Sequence, residues 1–302
     1  MRRRLSTVGL QMDRLPNFFI VGAPKAGTSS LHAYLGAAPE IFMSRLKEPN
    51  YFSRIVVPDD HPVRPVRDRQ RYLQLFSEAS TESVVGEASP TYLADPEAPL
   101  LISQMCPDAK ILISLRDPVE RAYSHYLMML NNGAASDSFL EEVKRGLASQ
   151  HNRKLMLLRP EIGLYHQQLK RYMHTFDERY LKIIIFEELA GDPKGILLEI
   201  MDFLQIDDPL DNFHPEVYRQ YGEPRGGFAR YLFGNRTISR LAELLISSRA
   251  RKWMRENLLM KPAAKPSMDA EARKFLTEYY AEDVRTVTEL LGRRVPWRNF
   301  LD

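Results

Sequence analysis

The sequence predicts an α/β protein, a mainly parallel central sheet with helices on both faces. Three observations predict it: short apolar runs recur along the chain, helical patterns alternate with them, and a glycine-bearing loop joins the first run to the first helix. The first run is Phe18 to Val21, stopped by Gly22, and Ser29 to Leu35 reads helical after it. Ser83 to Ala88, Ile111 to Leu115 and Lys182 to Phe186 are the later strands, each apolar or β-branched as buried parallel strands are. Helices are expected at 96–105, 118–130, 138–149, 163–176 and 193–204. Proline opens three of them, at 96, 118 and 193, where its missing N–H costs nothing. From Asp269 to Leu291 residues such as Leu276, Tyr280, Val284 and Val287 keep helical spacing up to a capping Gly292, and this helix is expected on the outside of the domain.

A chain of 302 residues, 44% of them hydrophobic, buries roughly three quarters of its unfolded surface. The expected organisation is a flexible tail over 1–16 and one domain over 17–302, helical in its last part from about 231. Two stretches read as functional or mobile loops, Val56 to Arg69 and Tyr218 to Arg230. Ile238 to Leu259 is basic and amphipathic, a helix covering the core in preference to one lying on a membrane. With 42 basic against 39 acidic residues, no global field points to nucleic acid, so any anion site is local. Cys106 is the only cysteine, which excludes an internal disulfide. The N-terminal stretch has no apolar core suited to a signal peptide or membrane anchor, and a soluble, cytoplasmic protein is expected.

Gly22-Ala-Pro-Lys25-Ala-Gly27-Thr28-Ser29 lies between the first strand and the first helix. There unpaired amides and the positive end of the helix dipole converge on an anion, and the residues from Lys25 through Ala26 and Gly27 to Thr28 and Ser29 are its candidate ligands. The spacing is close to G-x-x-x-x-G-K-[ST], but Thr28 stands where the lysine would be and the lysine has moved into the loop as Lys25. A lysine there is placed to sit over the oxygen joining the last phosphate to a transferred group.

The stretch Phe18 to Ser30 resembles the 5′-phosphosulfate loop of sulfotransferases that use 3′-phosphoadenosine-5′-phosphosulfate (PAPS), especially bacterial enzymes related to heparan sulfate sulfotransferases. The resemblance implies the three-layer fold of P-loop NTPases, PAPS as donor and adenosine 3′,5′-bisphosphate as product, with no metal. Arg116, ending the strand Ile111 to Leu115, and Ser124 on the following helix can face one pocket; the resemblance gives them the nucleotide's 3′-phosphate. Read without it, Arg116 is also a candidate ion-pair partner of Asp117 or Glu120. Gly222 to Phe228 resembles the late loop that closes over the same phosphate, which nominates Arg225, Gly226 and Gly227, with Arg230 as an alternative arginine.

Transfer to a hydroxyl needs a base for its proton and a cation for the leaving phosphate. Lys25 is the candidate cation. Lys47-Glu48-Pro49-Asn50-Tyr51-Phe52 resembles the family segment whose glutamate is the base, so Glu48 takes that role and Lys47 orients the sulfate or lowers the glutamate's pKa. Glu87 is second choice and His61 third. Gly86 to Tyr92 resembles the acceptor-side strand and turn, which nominates Glu87, Ser89 and Tyr92 for the acceptor; Ala88 stands where the glycan enzymes often have lysine. Tyr165, on a helix resembling the one beside the adenosine, is a further candidate contact. The acceptor is a small molecule, lipid or carbohydrate carrying a hydroxyl or amine. Two other readings stay open: a P-loop kinase or NTPase, and a nucleotide-binding protein without turnover.

Overall fold

The computed structural model describes residues 14–55, 64–132, 134–148, 159–207, 222–226, 229, 250, 254 and 258–301. Five strands, β1 (Phe18–Gly22), β2 (Ile41–Met43), β3 (Val84–Ala88), β4 (Lys110–Leu115) and β5 (Leu181–Ile185), form one sheet in the order β2-β3-β1-β4-β5. Every pairing is parallel: Phe19 lies opposite Glu87 on one side and Ile111 on the other, and Ile113 lies opposite Ile183. All the strands therefore end on one edge, with β1 in the middle.

Alternate residues of these strands point to opposite faces and divide between two apolar cores. Phe19, Val21, Ile111 and Ile113 enter one; Phe18, Ile20, Leu112 and Ile184 enter the other. The first is covered by α2 (Arg69–Gln74), α3 (Ala98–Met105), α4 (Pro118–Asn131), α5 (Phe139–Ala148), α6 (Tyr165–Thr175) and α9 (Ala270–Leu291). The second is covered by α1 (Thr28–Leu35), α7 (Phe186–Gly191) and α8 (Pro193–Leu204). Three layers result. On α9, Leu276, Val284 and Val287 are buried against α4 and α6, and each such side chain contributes about 1.5–3 kcal/mol.

Caps set the helix limits. Asp117 takes the amides of Val119 and Glu120 at 3.0 and 3.3 Å, Asp192 takes Gly195 N at 2.9 Å, and Asp269 takes Ala272 N at 3.0 Å. Gly292, at φ 63, ends α9 in the left-handed conformation that glycine adopts without penalty.

The structure corrects several boundaries. Phe186 opens α7 instead of ending β5, and Pro96 lies two residues ahead of α3, whose first turn holds Pro99 instead. β2, with three residues, and α2, with six, are too short to carry a period in the sequence. A hairpin of β6 (Gly222–Pro224) and β7 (Met260–Pro262) was also not foreseen. His61, Gly227, Arg230 and most of 238–259 lie outside the described residues.

Candidate active site

The loop leaving β1 has a strand end on either side of it, the place where open parallel sheets bind ligands. Three hydrogen bonds fix it to the end of β4. Ala23 N donates to Ser114 O at 2.6 Å, Ser114 Oγ donates to Ala26 O at 2.6 Å, and Arg116 Nη1 donates to Lys25 O at 2.9 Å. Carbonyl and amide of a trans peptide point opposite ways, so a loop whose Ala26 carbonyl turns to β4 presents the Gly27 amide on its other side. Gly27, the N-cap of α1, stands at φ 79 and has no side chain to cap the amides of the first turn. A Cβ there would come within 2.8 Å of Phe186 Cδ2. Lys25 also takes a left-handed conformation, at φ 70. With Thr28 and Ser29 opening the helix, this cradle fits a phosphate group.

Arg116, the candidate for the second anion site, is tied to the cradle. Its guanidinium lies 4.5 Å over the Phe186 ring, so one aromatic side chain packs against both Gly27 and Arg116. Nε of Arg116 is buried and makes no hydrogen bond. Burial works against its charge and lowers its pKa, while Glu187 and Glu120 act the other way. Asp117 caps α4 and takes Asn299 Nδ2 at 2.7 Å; Glu120 pairs with Lys265 at 2.6 Å and Arg273 at 3.1 Å. Neither carboxylate forms an ion pair with Arg116 among the described residues. Lys25 Nζ reaches Met128 Sδ at 3.7 Å, and Ser124 lies one turn before Met128, so the face of α4 carrying Ser124 is turned toward the loop.

Tyr165 differs from expectation. It is fully buried against Trp297 and donates its hydroxyl to Arg116 O at 2.9 Å. It supports the backbone of Arg116 and has no surface for a ligand.

On the other flank of β1, Glu48 N donates to Ala88 O at 2.9 Å, which brings the Lys47 to Asn50 turn to the end of β3. Glu48 and Asn50 both have positive φ, 65 and 51. Asn50 holds the turn from three sides. Its amide donates to Ser89 Oγ at 3.0 Å, its Nδ2 donates to Glu48 O at 2.9 Å, and its Oδ1 accepts from Thr91 Oγ1 at 2.6 Å. Lys47 Nζ pairs with Glu48 Oε1 at 2.6 Å, and the two side chains are 20% and 34% exposed, so the carboxylate is open to an acceptor beside a cation.

Glu87, Ser89 and Tyr92 are also differently placed: all three are fully buried. Glu87 accepts from Tyr72 OH at 2.8 Å, Tyr92 OH at 2.9 Å and Ser89 Oγ at 2.6 Å. Burial raises its pKa to about 7, against these three hydrogen bonds, which lower it. None of the three offers surface to an acceptor. His32 bonds Ser44 O through Nε2 at 3.0 Å, and burial lowers its pKa.

The late hairpin meets the same helix as Ser124: Asn131 Nδ2, at the end of α4, donates to Gly222 O at 2.7 Å. Arg225 is exposed and donates from N to Leu259 O at 2.7 Å and from Nε to Met260 O at 2.9 Å; Gly226 follows at φ 78. Two contributors escaped the sequence reading. Phe186 stood at a predicted strand end with nothing to distinguish it from scaffold, and Asn50 lay inside the Lys47 to Phe52 segment without a role.

A family model described as the sulfotransferase family matches residues 16–210, which span the cradle, both flanks of β1 and the helices around them. The chain belongs to the sulfotransferase family. A crystal structure of a sulfotransferase from Alicyclobacillus acidocaldarius is 31% identical, with a TM-score of 0.70 over 94% of this chain and 99% of that one. Mouse bifunctional heparan sulfate N-deacetylase/N-sulfotransferase 4 is 28% identical over 287 residues, 93% of this chain and 30% of that protein. Human carbohydrate sulfotransferase 15 is 29% identical over 246 residues, 64% of this chain and 44% of that protein. This sulfotransferase chain thus spans less than half the length of those two relatives. Nothing in these likenesses supports the kinase or NTPase reading. β4 is followed by Arg116, and Glu87, the one carboxylate on a central strand among the described residues, is enclosed by three hydroxyls.

Proposed function

We propose that this chain moves a sulfuryl group from PAPS to a hydroxyl or amine of a small-molecule, lipid or carbohydrate acceptor. The observation that carries the proposal is the bond from Arg116 Nη1 to Lys25 O, which joins two anion sites at the sheet edge. In this reading they take the two phosphate-bearing ends of one doubly phosphorylated adenosine. The loop amides, Thr28 and Ser29 take the 5′ end, with Lys25 at the bridging oxygen. Arg116 and Ser124 take the 3′-phosphate, and Arg225 with Gly226 closes over it.

PAPS supplies a sulfuryl group on a stable leaving anion. Glu48 removes the acceptor proton as the acceptor oxygen or nitrogen bonds to sulfur. The electron pair of the broken sulfur–oxygen bond stays on the 5′-phosphate, where the Lys25 ammonium stabilises it. Lys47 holds the Glu48 carboxylate in place and orients the sulfate. A carbohydrate acceptor is favoured by the names of the relatives, and Ala88 in the lysine position argues against a highly anionic one. A reducing, cytoplasmic setting fits a chain with one cysteine; among the described residues no helix is long and apolar enough to cross a membrane.

The test is transfer from labelled PAPS to a panel of desulfated acceptors. Lys25→Ala is expected to lower kcat by about 10²–10³-fold, and Glu48→Gln by about 10²–10⁴-fold with affinity for adenosine 3′,5′-bisphosphate retained. Transfer at the unaltered rate by Lys25→Ala would overturn the assignment of the cation.

A further inference from the structure

Resting on the assignment of Glu48 as base, we propose that Glu87 is a positioning residue for it, acting through Ser89 and Asn50 to hold the left-handed turn that presents the Glu48 carboxylate.

The chain of contacts is continuous. Ser89 Oγ donates to Glu87 Oε2 at 2.6 Å and accepts from Asn50 N at 3.0 Å; Asn50 Nδ2 donates to Glu48 O at 2.9 Å. A hydroxyl has one proton, so the direction of the Ser89 bond is set by the group it faces. An ionised Glu87 accepts and donates nothing. It fixes the Ser89 proton inward and leaves the Ser89 lone pairs for the Asn50 amide. Tyr92, bonded to the same carboxylate, likewise gives its proton to Glu87 and accepts from Phe52 N at 3.3 Å. One buried carboxylate thus orders two hydroxyls, and each of those holds an amide of the segment 50–52. The turn needs holding, because Glu48 and Asn50 both occupy a conformation that residues with a Cβ seldom adopt.

Geometry rules Glu87 out as the base itself, since the carboxylate has no exposed surface. The groups facing it are Tyr72 of α2, Tyr92 and Ser89 of the turn after β3, Cys106 after α3 and Tyr172 of α6. Burial raises the pKa of the three tyrosines and of the cysteine, so the tyrosine hydroxyls stay protonated at neutral pH. Glu87 is the group of this set that titrates near neutrality, with its pKa pushed up to about 7.

The test compares Glu87→Gln, Ser89→Ala and Asn50→Gly with Glu48→Gln. Glycine at 50 keeps the positive φ and removes only the side chain. Each of the three variants is expected to lower kcat about tenfold or more while binding adenosine 3′,5′-bisphosphate within twofold of wild type. Wild-type kcat is expected to rise with pH through an apparent pKa near 7, and Glu87→Gln to lose that limb; a merely structural residue would leave the profile in place. Combined with Glu48→Gln, Glu87→Gln is expected to cause no further loss. Should Glu87→Gln fail to fold, Ser89→Ala and Asn50→Gly carry the test alone. Wild-type kcat in these variants, with Glu48→Gln inactive, overturns the positioning role and leaves the base assignment standing. Wild-type kcat in Glu48→Gln overturns the base assignment whatever Glu87 does.

Discussion

Replacement of Arg116 by alanine probes both ends of the nucleotide at once. Nε is buried and one N–H of Nη1 is committed to Lys25 O, which leaves Nη2 and the second N–H of Nη1 as the donors for a 3′-phosphate. Two charge-assisted bonds at about 1.5–3 kcal/mol each, reduced for their overlap, amount to about 2–4 kcal/mol. At 1.4 kcal/mol per tenfold, adenosine 3′,5′-bisphosphate is expected to bind about 30- to 700-fold more weakly to Arg116→Ala. Adenosine 5′-monophosphate has no 3′-phosphate and feels only the loss of the tether on the Lys25 carbonyl. That tether is one bond and reaches the nucleotide only through the loop, so the monophosphate is expected to lose less affinity than the bisphosphate. Titration calorimetry with the two nucleotides separates the effects. Equal losses for both would show that Arg116 acts only through the loop. Undiminished affinity for the bisphosphate would refute its contact with the phosphate altogether.

Three further outcomes are expected. Gly27→Ala forces a Cβ into a φ of 79 and against Phe186 at 2.8 Å; strain of about 2 kcal/mol or more lowers Tm by several degrees and weakens donor binding, and an unchanged melting curve would contradict this. Glu87 has its pKa raised from 4.5 to about 7 by burial, so the stability it contributes is full below pH 4.5 and lost as pH rises through 7. Relative to Glu87→Gln, the wild type is expected to gain about 2–3 kcal/mol between pH 8 and pH 5, at about 1.4 kcal/mol per pKa unit, in denaturant titrations; a constant difference would disprove the shift. Burial pushes the Cys106 thiol up to about 12, so a thiol reagent at pH 8 is expected to label it slowly in the folded protein and promptly in denaturant. Rapid labelling of the native chain would contradict that.

The central strands were legible because they are buried on both faces, and an unbroken apolar run such as Ile111 to Leu115 has few other interpretations. The helices starting at Pro118 and Pro193 carried their caps in the sequence, Asp before Pro in each. The cradle was legible for a similar reason, since its glycines and lysine lie within eight residues. What escaped reading was long-range. Glu87, Ser89 and Tyr92 fell in a segment that pointed to the acceptor, yet only the fold reveals that Tyr72, fifteen residues earlier, encloses the same carboxylate. Tyr165 was read beside the nucleotide, but its hydroxyl is drawn back by a carbonyl forty-nine residues away. Phe186 matters because a neighbouring loop has a glycine facing it, and no local pattern records that.

The central place of β1 divides labour between its neighbours. The loop, Arg116 and Ser124, proposed to grip the nucleotide with Arg225 and Gly226 of the late hairpin, follow β1 and β4, whereas the candidate base and its supports hang from β2 and β3. Substitutions on the β2 and β3 side, away from Lys47, Glu48 and Asn50, are therefore expected to change acceptor choice more than nucleotide affinity. Such an arrangement makes the enzyme modular, a fixed donor handle beside an exchangeable tool head.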